Sequence, residues 1–374
     1  MANKAIKCRL YPTSGQAVFF VKTFGCCRKV YNLMLSDKIQ SYKDTKSFGK
    51  QTPAMYKQTY PYLKEVDSLA LANVQLNLQQ ALKNRFSGKT HSGFPKYKSA
   101  KHSRKSYTTN NQNGTIAITG NMIKLPKIGM VKAKIHRQLE EGSRIKCATI
   151  SQDSDGKFYV SVLFEYDIEI TPVSKTTENA IGLDYKSDGL YMDSNGRRAD
   201  MHKYYRESHE KLAKAQRKLA RRKGSKKGEE QSNNYKKQKK RVAKIYKHIS
   251  NQRLDELHKK STGTANQYDV VCVESLNMKA MSNKGFGNGK ATLDNGYGLF
   301  LRMLGYKLSE RGKYLIKVDK FYPSSQLCSC CGRKQKLKLT DRVYKCRCGI
   351  VMDRDYNAAV NIRNEGLRLL RESV

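Results

Sequence analysis

The spacing of apolar residues over the first hundred positions predicts one strand followed by helices. Residues 4–11 form a short strand pattern that ends at Tyr11-Pro12. An amphipathic helix is indicated by apolar residues at three- and four-residue spacing, namely Leu71, Val74, Leu78 and Leu82. A second buried helical face is predicted for Phe20, Val21, Phe24, Val30, Tyr31 and Leu33.

The pattern changes to strict alternation from about residue 106, which predicts a β module. Asp155-Gly156 is a hairpin turn signal. It is followed by a strand with apolar residues at every second position, namely Phe158, Val160, Val162 and Phe164. Residues 172–175 have the composition of a linker.

Beyond residue 180, strands and helices alternate in a way that predicts an α/β domain. Residues 181–184 form a strand, and Leu190 to Met192 form a second one before a turn at Ser194-Asn195-Gly196. The apolar run 270–273 indicates a strand that is buried on both faces. A further strand is predicted at 314–318 and a closing helix at 355–370.

The net charge of the chain indicates which kind of molecule the protein binds. The 374 residues include 73 Lys and Arg against 32 Asp and Glu, a net charge of +41. Such a field binds polyanions and does not suit an enzyme of small metabolites, so we expect nucleic acid partners and no small-molecule substrate. An anionic membrane surface is the alternative, but no amphipathic anchor or lipidation motif supports it. We find no apolar run of 18 residues and no signal-peptide pattern at the N-terminus, and we expect a cytoplasmic protein.

Residues 201–260 concentrate this charge in a helical segment. They contain 21 basic and 6 acidic residues, and Gly224 and Gly228 divide them into two helices. A pair of solvated charged helices is one explanation. The excess of one sign favours a surface that faces phosphates.

The cysteines near the C-terminus have metal-ligand spacing. Cys328 and Cys331 form a C-x2-C pair, Cys346 and Cys348 form a C-x-C pair, and 14 residues separate the two pairs. Two short pairs, each followed by a glycine that permits a tight turn, predict a closed structural zinc site. Cys330 is an additional thiol beside the first pair, and a redox pair is the alternative interpretation.

Three acidic residues occupy positions suited to divalent metals. Asp184 and Glu274 each end an apolar strand, and Asp355 opens the last helix. Carboxylates that converge on one point can hold two metal ions for phosphodiester cleavage. Each acid also has a plain interpretation, since Asp184 can be a turn residue, Glu274 a loop acid and Asp355 a helix cap. Asp353 is the competing cap two residues earlier.

Several ordered motifs resemble the RuvC-like nucleases of the TnpB family, which accompany bacterial insertion sequences and are related to compact type V CRISPR effectors. The strongest matches are Ile181-Gly182-Leu183-Asp184, Val273-Glu274-Ser275-Leu276-Asn277, the paired cysteines, and the segment from Asp353 to Ile362. Further matches are Arg9 to Pro12, Cys27 to Asn32, Gly93 to Lys98, Lys124 to Lys127, His248 to Arg253 and Tyr322 to Cys328. The first motif departs from many members because it continues as Tyr185-Lys186 where they have a small residue and glycine.

The resemblance implies a multidomain α+β protein. It implies a wedge β-barrel at 1–14 and 106–172 with a helical recognition insert at 15–105. An RNase-H-like (RuvC) α/β domain is implied at 173–374, and it includes a basic helical hairpin at 200–262 and a zinc ribbon at 321–352. It further implies that Asp184, Glu274 and Asp355 are catalytic ligands of two Mg²⁺ ions, with Mn²⁺ as a possible substitute.

The activity implied by the resemblance is RNA-guided double-strand DNA cleavage next to a short target-adjacent motif, linked to transposition and DNA recombination. The guide RNA comes from the element's own transcript, and DNA binding would place the protein at the bacterial nucleoid. Candidate nucleic-acid contacts, drawn from the matched motifs and from the polar run 108–113, are Arg28, Asn32, Lys96, Gln112, Asn113, Asn251 and Arg253. A guided repressor without cleavage, a transposase and a guide-free junction resolvase remain the alternatives.

Overall fold

The computed structural model describes residues 2–88, 92–224, 230–283, 289–338 and 340–373. Contacts divide the chain into two units, Met1–Ile168 and Glu169–Val374. None of the described helices is both long and apolar enough to cross a lipid bilayer.

The first unit combines an antiparallel sheet with helices. Its strands are β1 (Ala2–Tyr11), β2 (Lys105–Asn110), β3 (Ala117–Thr119), β4 (Met122–Leu125), β5 (Gly129–Lys134), β6 (Arg144–Gln152) and β7 (Phe158–Tyr166). Its helices are α1 (Ser14–Thr45), α2 (Tyr56–Thr59) and α3 (Ser68–Phe86), with a 3₁₀ turn at Pro61–Lys64. The seven strands are paired in the order β2-β6-β7-β1-β5-β4-β3.

Strand alternation builds the core of this unit. Ile6 on β1 pairs with Val162 on β7, and Cys8 pairs with Val160, so each pair buries its side chains on the same face. All four alternating apolar residues predicted at 158–164 are buried. The alternation from residue 106 onward therefore predicted this part of the sheet correctly.

The helical predictions hold for α3 and partly fail for α1. The four predicted leucine and valine positions of α3 are buried, and Asp67 caps its N-terminus. Val21 of α1, in contrast, is 46% exposed, while Met34 and Leu35 are buried. The buried stripe of α1 passes through Phe20 and Phe24, and at about 100° per residue Val21 lies beside it.

The second unit contains five strands that form one sheet, a two-stranded ribbon and seven helices among the residues described. The sheet strands are β8 (Ala180–Tyr185), β9 (Tyr191–Asp193), β10 (Arg198–Ala199), β11 (Val270–Glu274) and β12 (Tyr314–Val318). The ribbon strands are β13 (Val343–Lys345) and β14 (Val351–Asp353). The helices are α4 (Tyr204–Glu207), α5 (His209–Arg221), α6 (Asn233–Gln267), α7 (Met278–Met281), α8 (Gly289–Asn295), α9 (Tyr297–Ser309) and α10 (Arg354–Glu372).

The sheet has the order β10-β9-β8-β11-β12, with β8, β11 and β12 parallel and β9 and β10 antiparallel. Its two faces have separate cores. Val271 and Val273 pack with residues of α6 and α9, whereas Val270 and Cys272 pack with residues of α10. This division explains why the 270–273 run is apolar at every position.

Helix α10 lies unusually close to the sheet. A Cβ atom at Gly182 of β8 would overlap the carbonyl oxygen of Ala359, and one at Gly366 would overlap the sulfur of Cys272. The absence of side chains at these two positions brings the start of α10 next to the ends of β8 and β11.

The basic segment forms the two long helices α5 and α6, which share a small apolar contact of Leu212, Ala215 and Val242. The predicted break at Gly224 lies between the two helices, and Gly228 lies outside the described residues.

Candidate functional site

The three predicted acidic residues lie at one end of the second unit's sheet. Leu183 of β8 and Val273 of β11 are register partners, so Asp184 and Glu274 follow on neighbouring parallel strands. Alternation places both acids on the α10 face, because Gly182 and Cys272, two residues earlier, face that helix. Asp355 lies in the first turn of α10.

The structure separates the roles of the two acids at the start of α10. The side chain of Asp353 accepts hydrogen bonds from the backbone amides of Asp355 and Tyr356, at 2.8 and 3.0 Å. Asp353 is therefore the N-cap, and the carboxylate of Asp355 remains available for other partners. One of these partners is Lys186, whose ammonium forms an ion pair with Asp355 Oδ2.

Negative charge accumulates at this end of the sheet. Burial, with the charges of Glu274 and Asp355, raises the pKa of Asp184 well above its usual value, while Lys186 and Arg354 act in the opposite direction. Burial also raises the pKa of Glu274, and a hydrogen bond from Ser324 partly offsets that rise. Buried carboxylates that lie this close to one another favour a bound cation.

Two buried asparagines connect Glu274 and the cysteine segment to α10. The Ser324 hydroxyl donates to Glu274 Oε1 at 2.6 Å. Asn361 donates to the carbonyl oxygens of Ser324 and Leu327, both at 2.8 Å, and Asn357 donates to that of Leu327 at 2.7 Å. The amides thus fix Ser324 relative to the helix that carries Asp355.

A buried tyrosine completes the surroundings of the acids. Tyr297 is 1% exposed, and its hydroxyl has no hydrogen-bond partner among the residues described. Burial raises the pKa of Tyr297, and the charges of Asp184 and Glu274 raise it further. An unpaired buried hydroxyl is unfavourable, so Tyr297 adds a polar group without a partner in the described part of the chain to a region already charged by the acids.

The four predicted cysteines converge. Their sulfur atoms all lie within 4.8 Å of one another, with Cys328 to Cys348 and Cys331 to Cys346 each at 3.6 Å. The convergence of all four sulfurs on one point, and not of a single pair, favours a metal site over the redox alternative. Although burial opposes it, hydrogen bonds from the backbone of Cys331 and Cys330 lower the pKa of Cys328 to about 7. Cys330 lies outside the group and is exposed.

A basic groove of about 180 Å³ crosses the first unit between α1, α3 and the segment that leads into β2. Its walls include the predicted residue Arg28 together with polar and basic residues that the sequence did not single out, namely Asn73, Asn77, Lys98, Arg104 and Lys105. The predicted Asn32 is engaged elsewhere, because its amide exchanges two hydrogen bonds with the backbone of Lys98 at 2.8 and 2.9 Å. Lys96 is exposed.

The polar run 108–113 is divided between structural and exposed residues. Thr108 bonds Thr149, Thr109 bonds Asp67, and Asn110 accepts from Asn73. Gln112 and Asn113 follow at the exposed turn after β2.

The two predicted contacts on α6 have different surroundings. Asn251 is exposed. Arg253 forms an ion pair with the buried carboxylate of Asp294 at 3.0 Å, so its guanidinium is already engaged. Nucleic-acid binding by Arg28, Asn32 and the other predicted contact residues remains a prediction.

Sequence reasoning missed several residues around the acids. Lys186 and Ser324 were noted only within compared motifs and were given no role, and Tyr297 was not noted, because their partners lie far away in the chain. Asn357 and Asn361 did give a signal in the sequence. Two amide side chains four residues apart on an otherwise apolar helix face indicate hydrogen bonds to buried backbone.

Three family models match separate parts of the chain. The model described as "Helix-turn-helix domain" matches residues 1–47, which form the strand β1 and the single helix α1 here. The model described as "Probable transposase" matches residues 162–284, and "Cas12f1-like, TNB domain" matches residues 297–362.

Curated relatives match over nearly the full chain. A Streptomyces pristinaespiralis protein named as an RNA-guided DNA endonuclease is 34% identical, covering 98% of this chain and 90% of its own. An Escherichia coli (strain K12) protein of the same description is 27% identical, covering 98% and 93%. Mimivirus proteins named TnpB-like match 34% of this chain at 30% identity.

The fold also resembles that of a solved Cas12f1–sgRNA–target DNA complex. The TM-score is 0.59 at 11% identity, over 96% of this chain and 98% of that one. Because the identity to the Streptomyces relative extends over nearly the whole of both sequences, this protein belongs to the TnpB family of RNA-guided DNA endonucleases.

Proposed function

We propose that this protein cleaves target DNA under the direction of a guide RNA, with Asp184, Glu274 and Asp355 as the ligands of two divalent metal ions. One observation carries the proposal. Two adjacent parallel strands end in carboxylates on the face covered by α10, and the first turn of α10 supplies the third carboxylate.

The topology supports an RNase-H-like assignment for the second unit. If β8 to β12 are numbered 1 to 5 in chain order, their order across the sheet is 3-2-1-4-5. Strands 1, 4 and 5 of this numbering are parallel. We assign the seven-stranded sheet of the first unit to the wedge module and its helices to the recognition insert.

The acidic site fits hard divalent cations such as Mg²⁺ or Mn²⁺. Carboxylate oxygens are their preferred ligands, and burial together with the charges of Glu274 and Asp355 raises the pKa of Asp184. Held by Asp184, Glu274 and Asp355, two such ions would stabilise the attacking and leaving oxygens of the phosphodiester.

The chain's own contribution is to hold the ligands in place. Ser324 orients Glu274, and the cap at Asp353 fixes the turn that carries Asp355. The Tyr297 hydroxyl lacks a protein partner among the residues described, and we assign it to a water or carboxylate oxygen of the loaded site. Holding the ligands rigidly is the protein's share of catalysis by a metal site.

The four cysteines fit zinc. Four sulfurs around an ion with metal–sulfur distances of about 2.3 Å lie roughly 3.8 Å apart at the corners of a tetrahedron. The two measured sulfur pairs are at 3.6 Å. The site is closed, so we give it a structural role in the ribbon.

The net positive charge and the membership of the TnpB family indicate guide RNA and target DNA as the partners. A guide transcribed from the element itself would supply sequence specificity by base pairing, and the protein would contact the backbone of the heteroduplex. A net charge of +41 suits that task. We further propose that the groove lined by Arg28 and Asn77 lies against the target-adjacent duplex, where the exposed amide of Asn77 can read base edges.

The test separates chemistry from binding. RNA that copurifies with the protein is sequenced to define the guide, and cleavage and binding of a matched DNA are then measured. Asp355→Ala should abolish cleavage with binding retained, and Asp353→Ala, the adjacent cap, should reduce stability but leave measurable cleavage. Binding without cleavage by the unaltered protein would instead identify a guided repressor, and cleavage by Asp355→Ala would contradict the ligand assignment.

A further inference from the structure

A lysine lies inside the acidic site. The ammonium of Lys186 forms an ion pair with Asp355 Oδ2, and the two side chains are only 13% and 19% exposed. Ion pairs on the surface are screened by water, but a pair this well covered retains much of its attraction.

Local structure directs this side chain. Lys186 lies two residues after Asp184, so continued alternation points it to the α10 face as well. Its backbone is held on both sides, since its amide donates to the carbonyl of Leu190 at 3.2 Å and its carbonyl accepts from Asn295 at 3.3 Å. Asn295 is itself buried and also donates to the Tyr185 hydroxyl at 3.2 Å.

The same carboxylate cannot serve a lysine and a metal ion equally. A divalent ion binds carboxylate oxygen directly and at short range. An ammonium on Oδ2 blocks one of the coordinating oxygens and repels a second cation close by. Binding of metal at Asp355 therefore requires Lys186 to move or to give up much of its interaction.

We propose that Lys186 is a built-in competitor of the divalent metal at Asp355, which neutralises the acidic cluster and weakens metal binding there. This inference rests on the proposed role of the three acids as metal ligands. In this proposal Lys186 controls how fully the metal site at Asp355 is occupied. Substitution of Lys186 should therefore strengthen metal binding, whereas loss of a positioning residue would weaken it.

The experiment measures Mn²⁺ affinity by calorimetry and by the paramagnetic signal of bound Mn²⁺, using the full chain loaded with zinc. Lys186→Met should bind Mn²⁺ about tenfold more tightly than the unaltered protein, because one neighbouring positive charge is removed. Lys186→Gln, which keeps a donor toward Asp355 without the charge, should change affinity in the same direction.

The chain offers a closely matched control. Lys313 pairs with Asp269 at 3.0 Å, and these side chains are 15% and 23% exposed. Lys313→Met removes a similar ion pair elsewhere in the same unit, so it should lower the melting temperature without changing Mn²⁺ affinity. Added Mn²⁺ should raise the melting temperature of Lys186→Met by more than that of Lys313→Met.

The outcomes distinguish this inference from the function on which it rests. Unchanged or weaker Mn²⁺ binding in both Lys186 variants overturns the competitor role. If the Asp355→Asn variant binds Mn²⁺ as tightly as the unaltered protein does, the proposed metal site itself is wrong.

Discussion

Two residues at the ends of parallel strands determine the character of the acidic site. Asp184 and Glu274 share one face because each lies two residues after a position that faces α10, namely Gly182 and Cys272. The consequence is a concentration of negative charge that folding alone would not favour.

Because of this charge, we expect the stability of the protein to depend on pH when no divalent ions are added. The pKa of Asp184 is raised in the folded protein, so folding favours its protonated form and stability falls as pH rises above the usual carboxyl range. Without added divalent ions, we expect Asp184→Asn to raise the free energy of unfolding by about 1 kcal/mol at neutral pH, and the gain to shrink toward about pH 4.

Chemical denaturation across this pH range checks the prediction. Asp193→Ala is the control, because Asp193 accepts two turn hydrogen bonds, at 2.9 and 2.8 Å, and its loss should destabilise the protein. A destabilised Asp184→Asn protein at neutral pH would show that Asp184 is already compensated.

The unpaired hydroxyl of Tyr297 gives a second prediction. Tyr297→Phe should leave the free energy of unfolding unchanged or raise it slightly, because the described residues offer that hydroxyl no hydrogen bond. Tyr314→Phe should cost about 1 kcal/mol, because the Tyr314 hydroxyl donates to the Val173 carbonyl at 3.0 Å. Equal decreases in denaturation experiments would mean that Tyr297 has a partner in solution.

At the scale of elements, α10 organises the site. It supplies Asp355, holds Ser324 and Leu327 through two asparagines, and lies against β8 because Gly182 has no side chain. A shift of this helix would therefore change the acids and the cysteine segment together.

Gly182→Ala tests that close packing. The added methyl group would meet the α10 backbone, so we expect a decrease of about 1–3 kcal/mol in the free energy of unfolding and reduced cleavage. Gly263→Ala is the control, since Gly263 lies within α6 with open space around it and should gain about 0.5–1 kcal/mol. Similar stability of the two variants would contradict the packing argument.

The cysteine ribbon gives an element-scale prediction about metal content. Single Ser replacements of Cys328, Cys331, Cys346 or Cys348 should reduce bound zinc and loosen the ribbon, because a three-sulfur site binds zinc less tightly. Cys330→Ser should retain about one zinc per chain by elemental analysis. Equal zinc depletion in Cys330→Ser would refute this choice of ligands.

At the scale of the whole molecule, the main feature is the excess of basic residues, with a net charge of +41. One shallow pocket on and just after α5 is lined entirely by basic residues, namely Lys214, Arg217, Lys218, Arg221 and Arg222. The apolar residues Leu212 and Ala215 of α5 pack with Val242 of α6. The interpretation of the 201–260 segment as a phosphate-facing surface stays a prediction, which the following substitutions test.

Replacing Lys214, Lys218 and Arg221 by Gln should weaken guide RNA binding for all sequences. The slope of log affinity against log salt should fall by roughly one for each phosphate that the variant no longer neutralises. Lys259→Gln is the control, because Lys259 already pairs with Asp255 at 2.7 Å. Binding measured from low to moderate salt checks this, and an unchanged slope would exclude phosphate binding on α5.

The sequence by itself determined the features that depend on short-range periodicity. Alternation determined the β7 strand, three- and four-residue spacing determined α3, and the spacing of the cysteine pairs indicated the cluster of four sulfurs. The ends of the apolar strands likewise marked Asp184 and Glu274, because a charged residue next to a buried run requires a partner.

Only the tertiary structure decided which partner each side chain meets. Val21 is exposed although it is apolar, Arg253 is bound to Asp294, and Lys186 is bound to Asp355, 169 residues away in the chain. Sequence patterns specify which face a residue occupies, whereas the neighbour across that face comes from a distant segment. Such a neighbour is set by how the helices and strands pack together, which no local pattern encodes.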